Sequence, residues 1–111
     1  MPRDEATLLD IAKAARLVLA FVEGMGKEEF LKDVKTQSAV LHQLLVIGEA
    51  VKRLCYDSRS RFPAVPWSLV AGMRNHLIHG YDAVDLEEVW TTVARDVPML
   101  LQAITPSLPE G

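Results

Sequence analysis

Apolar residues recur three and four positions apart through most of this chain, and nothing else limits its fold as strongly. Leu8, Ile11, Ala12, Ala15, Val18, Leu19 and Val22 follow the i, i+3/i+4 spacing of one helix face. A first helix is therefore expected from Asp4, as N-cap, to about Gly24. Gly24-Met25-Gly26 interrupts the pattern, and Lys27 to Lys32 reads as a short helix or helical turn. From Thr36 or Ser38 to about Tyr56 the apolar arc is broad: Val40, Leu41, Leu44, Leu45, Ile47, Ala50, Val51 and Leu54. Such a stripe predicts a central helix with neighbours on more than one side, and Gly48 within it predicts close approach by another helix. Glu49 reads as an exposed or ion-paired residue, His42 as a satisfied core or interface histidine.

Residues 58–66 carry turn chemistry. Pro66 suits the first position of a following helix, because its missing N–H has no acceptor there. That helix should run from Trp67 to about His79, bury Val70, Met73 and Leu77, and end at Gly80. A last helix is expected from Asp85 to Ile104, kinked at Pro98 where the ring removes a backbone bond. No stretch alternates with period two between turn pairs, so no strand is expected. The expectation is an all-α, four- to five-helix up-and-down bundle: one domain over residues 1–105, with 106–111 as a flexible tail.

Half of the 111 residues are apolar and a quarter charged, which suits a globule rather than a disordered chain. The lone Cys55 has no internal disulfide partner and falls in an apolar-periodic segment, predicting a buried thiol in a reducing compartment. Arg3 is followed by Asp4, Glu5 and Asp10, the wrong charge order for a signal peptide. No apolar run approaches the roughly 18 residues of a membrane span. These features point to the cytoplasm, with no membrane contact. The net charge of −3 gives no global attraction to nucleic acid, so contact with RNA would depend on local charge. Arg53, Arg59 and Arg61, with Lys52, face a single acid, Asp57, within residues 52–61. They are candidate RNA contacts, or equally a solvated helix end with its dipole complemented.

The residues that carry chemistry cluster at the end of the expected Trp67–His79 helix: Arg74, Asn75, His76, His79, Tyr81 and Asp82. Cleavage of RNA without metal needs a group to take the 2′-OH proton, a group to protonate the leaving oxygen, and a cation for the phosphorane. Histidine titrates near neutrality, and arginine offers a permanently charged fork to phosphate oxygens. On an ideal helix Asn75 and His79 share one face, while Arg74 and Tyr81 share another. Arg74 and His79 would thus meet one substrate only through the long Arg side chain, the helix end at Gly80, or a second subunit. Spacing alone is a weak signal, and an ordinary capped helix end, with His79 near the C-terminal carbonyls, accounts for it better. His76, His79 and Asp82 lack the third-ligand spacing of known zinc motifs, so no metal site is expected.

Arg74-Asn75-His76-Leu77-Ile78-His79-Gly80-Tyr81 resembles the R-x4-H-x-Y motif of HepT-like ribonuclease toxins of the HEPN superfamily. Pro66-Trp67 leading into Gly72-Met73, Ile47-Gly48-Glu49-Ala50, and Asp85-Leu86-Glu87-Glu88-Val89-Trp90 are similar to the same family. The resemblance implies a homodimer whose facing motif helices build a cleft that cuts RNA without metal or cofactor. It implies Arg74 and His79 as the catalytic pair, with Asn75 in support. It further implies a cognate minimal nucleotidyltransferase as antitoxin, which silences the toxin by transferring AMP to Tyr81. A catalytically silent subunit that serves only as partner or substrate of the transferase is the alternative.

Overall fold

The computed structural model describes residues 3–63, 65, 67 and 85–108. Every element among them is helical, in an all-α bundle: α1 (Arg3–Phe21), α2 (Lys27–Lys32), α3 (Val34–Arg53), α4 (Tyr56–Ser60), α5 (Leu86–Thr91) and α6 (Val97–Ile104). A π-helical turn, Thr92–Asp96, joins α5 to α6, and a 3-10 turn, Thr105–Ser107, follows α6. The expected Trp67–His79 helix, with Val70, Met73, Leu77 and its cap at Gly80, lies outside the described residues except for Trp67 itself.

The N-terminal helix packs on both α3 and α6. It buries Leu8, Ile11, Ala12, Ala14, Ala15 and Val18, a wider arc than the expected stripe. The three alanines keep its surface low, which lets two helices approach it. Helix α3 contributes Val40, Leu44, Ile47, Ala50 and Val51 to the same core, with Gly48 buried among them. Fully burying side chains such as Leu8, Ile11, Ile47 and Leu100 contributes about 1.5–3 kcal/mol each. Phe30 of α2 is fully buried, lies 5.4 Å from the Trp90 ring, and thereby ties α2 to α5. Its carbonyl accepts the Gln37 side-chain N–H at 2.9 Å, so a buried amide is satisfied where α2 hands over to α3.

Several local expectations need correction. Asp4 is not an N-cap: α1 already begins at Arg3, and the Asp4 carboxylate reaches residues more than fifty positions away. Helix α3 starts before Thr36, because Asp33 caps it by accepting the Thr36 N–H at 3.1 Å and the Thr36 hydroxyl at 2.8 Å. It also ends early, at Arg53, where Leu54 turns extended (ψ 137°). That break resets the phase, so Cys55 is exposed rather than buried, and the start of the expected 58–66 linker belongs to α4. His42 is exposed on α3 and not part of this chain's core.

Pro98 does disturb the last helix, in a specific way. The helix widens to a π turn over Thr92–Asp96 directly before Pro98, which sits in the first turn of α6. Beyond α6 the 3-10 turn carries the chain to Leu108, which is half-buried against the core. Residues 109–111 of the expected tail lie outside the described residues.

Candidate functional site

Arg74, Asn75, His79 and Tyr81 lie outside the described residues, and the structure is described on both sides of them. On the leading side, α4 is fastened to two other elements. Asp4 of α1 accepts the Ser58 hydroxyl at 2.5 Å and the Cys55 thiol at 2.8 Å, clipping the start of α4 to the first turn of α1. Those bonds, from Cys55 first and Ser58 next, hold the Asp4 carboxyl below its usual range. The Cys55 sulfur also accepts the Ser58 backbone N–H at 3.5 Å and so caps α4.

At the far end of α4, the Trp67 indole N–H donates to the Arg59 carbonyl at 2.9 Å. The Trp67 ring, 9% exposed, meets Phe62 edge-on with centroids 6.2 Å apart. The motif segment therefore leaves from a fixed point, seven residues before Arg74. On the trailing side, Asp85 caps α5 by accepting the Glu87 and Glu88 N–H groups at 3.0 and 3.3 Å. Lys27 pairs with Glu87 at 3.1 Å, adding a link to α2.

The three candidate arginine contacts are placed in three different environments. Arg53 pairs with Asp10 at 3.5 Å, at a surface groove of about 560 Å³ between α1 and α3 that Lys13 and Glu49 also line. Two carboxylates there oppose a phosphate. Glu49 is half-buried, as its place beside the groove requires. Arg59 is a structural cation: its Nη2 donates to the Val51 carbonyl at 2.9 Å, capping the end of α3, and its buried Nε has no hydrogen-bond partner. Arg61 is exposed, with its guanidinium 5.5 Å from the Phe62 ring centroid. Nothing in the sequence separated these roles, since each depends on where α3 stops.

Among the described residues no group of three His, Cys, Asp or Glu is placed to hold a metal ion. Nor is any described helix long and apolar enough to cross a membrane.

A helical bundle that fixes both flanks of an R-x4-H-x-Y segment defines a class, and comparison with known proteins identifies it. The family model described as Ribonuclease HepT-like matches residues 11–106, and the chain belongs to that family. A Thermococcus cleftensis protein named "Probable ribonuclease HepT" is 44% identical over 93 residues, covering 84% of each chain. A Methanocaldococcus jannaschii protein named "Putative RNase MJ0127" is 43% identical over 100 residues, covering 88% of this chain and 83% of its own. A third, "Putative RNase TTE0752" of Caldanaerobacter subterraneus, is 37% identical over 90 residues, covering 81% and 80%. No solved structure gives a significant match.

Proposed function

We propose that this protein is a cytoplasmic ribonuclease toxin that cleaves RNA without a metal or cofactor. The observation that carries the reading is an intact Arg74-to-Tyr81 motif in a chain of the HepT-like family. In the proposed reaction the 2′-oxygen attacks the adjacent phosphorus and gives up its proton, and the 5′-oxygen leaves with a proton. The products are a 2′,3′-cyclic phosphate and a 5′-hydroxyl. His79 moves one of these protons, Arg74 stabilises the charge on the phosphorane, and Asn75 holds the imidazole or a phosphate oxygen. Following the resemblance to HepT-like proteins, the complete site is assigned to a homodimer cleft.

In the same reading Tyr81 accepts AMP from a nucleotidyltransferase antitoxin. The added phosphate charge and nucleotide bulk beside Arg74 then exclude the RNA phosphate by occupation and repulsion. The second reading, a silent subunit that is only the transferase's partner, is favoured by the net charge of −3, by the surface ion pair of Arg53 with Asp10 and by the engagement of Arg59 at the end of α3. Arg74→Ala and His79→Ala separate the two readings. On the enzyme reading each abolishes RNA cleavage while the protein stays folded and dimeric; cleavage at the parent rate in either variant rejects it.

A further inference from the structure

Tyr56 is 82% exposed, the most exposed large hydrophobic side chain among the described residues, ahead of Val34 at 71% and Phe21 at 37%. A ring held that far into solvent adds little to folding. It opens α4, and the side chains around it in sequence, Lys52, Cys55, Asp57, Ser60 and Arg61, are all exposed and mostly polar. That setting differs from a protein-binding hot spot, where an aromatic anchor sits within an apolar, water-excluding surround. It fits the pairing used on single-stranded nucleic acid, in which a ring stacks on a base and nearby cations follow the phosphates. Lys52 in the last turn of α3 and Arg61 just after α4 bracket Tyr56 in the chain, and both are exposed. Helix α4 is also tied to Trp67, seven residues before Arg74 in the chain, because the Arg59 carbonyl receives the Trp67 indole N–H.

We propose that Tyr56, with Lys52 and Arg61, is a contact for single-stranded RNA. An unpaired base stacks on the phenol ring, and the two cations take neighbouring phosphates. Arg53 and Arg59 are left out of the contact because Asp10 and the end of α3 already engage them. This inference rests on the ribonuclease reading and adds to it the feature by which an acidic protein holds its substrate.

The test uses the full chain carrying His79→Ala, so that RNA is not consumed, with a dye-labelled short oligouridine titrated at several salt concentrations. Tyr56→Ala should weaken binding about tenfold, the range of one lost base stack, while Tyr56→Phe, which keeps the ring, should bind like the parent. Lys52→Ala and Arg61→Ala should each lower the slope of log affinity against log salt by about 0.7. Parental affinity in Tyr56→Ala overturns the proposal, and loss of the dimer with unchanged RNA affinity does so by assigning the ring to a protein contact. The same substitutions in a chain with His79 intact keep the two failures apart. RNA cut at parental efficiency by Tyr56→Ala sinks this inference alone; no cutting or binding by the unsubstituted protein sinks both.

Discussion

The Trp67 indole and the Arg59 carbonyl form a 2.9 Å hydrogen bond that joins the end of α4 to the residue from which the motif segment departs. Arg59 holds the end of α3 with its side chain and Trp67 with its backbone, so three parts of the chain meet at one residue. Trp67→Phe keeps a ring against Phe62 but removes the donor together with part of the buried indole. The lost bond and the smaller ring together should cost at least about 1 kcal/mol and lower the melting temperature by about 4 °C or more in calorimetry. An unchanged melting temperature would mean that the bond contributes nothing to stability.

Asp4 makes the other attachment of α4, and its effect should depend on pH with a definite sign. Its folded-state carboxyl is depressed below the ordinary 3.8, chiefly by the Cys55 and Ser58 bonds. Stability from a depressed acid is complete above the unfolded value and is lost as pH falls through the folded one. Asp4→Ala should therefore lower the urea midpoint at pH 7, and the gap to the parent should close only below about pH 3.8. Asp33, depressed by its bonds from Thr36, should behave in the same way. A gap of constant size down to pH 2 would contradict the linkage.

Phe30 tests the packing of α2 between the start of α3 and α5. Its ring is fully buried against Trp90, so Phe30→Ala should destabilise by about 3–5 kcal/mol in denaturant unfolding. A loss under 1 kcal/mol would mean that α2 is peripheral to the bundle.

Co-expression with a cognate nucleotidyltransferase should raise the intact mass by one or more AMP units, and Tyr81→Phe should remain unmodified. Unchanged mass in a pair shown to be active would reject Tyr81 as the acceptor.

Much of the fold was legible because helical periodicity is a local property. Leu8, Ile11, Ala12, Ala15, Val18 and Val22 were assigned to the core from spacing and are buried. The errors gather where one residue changes the backbone phase. Asp33 does not stand out as a cap in the sequence because the apolar pattern begins only at Val40, and Val34 between them is exposed. The phase of Val51 and Leu54, extended to Cys55, predicts a buried thiol, but the helix has already ended at Arg53. Asp4 looked like a cap because sequence shows neighbours along the chain and not Ser58, fifty-four residues on. For the site, residue chemistry supplied a cation and a titratable imidazole, but the resemblance to HepT-like proteins was needed to raise that pair above an ordinary helix end.

The most direct measurement is the cleavage of an end-labelled RNA, with chelator present, by protein made without a partner and verified as unmodified by mass, beside His79→Ala. Cutting by the parent that leaves 2′,3′-cyclic phosphate ends, and no cutting by the variant, is the expected result. No cutting by either protein, or equal cutting by both, would contradict the assignment of ribonuclease activity to this motif.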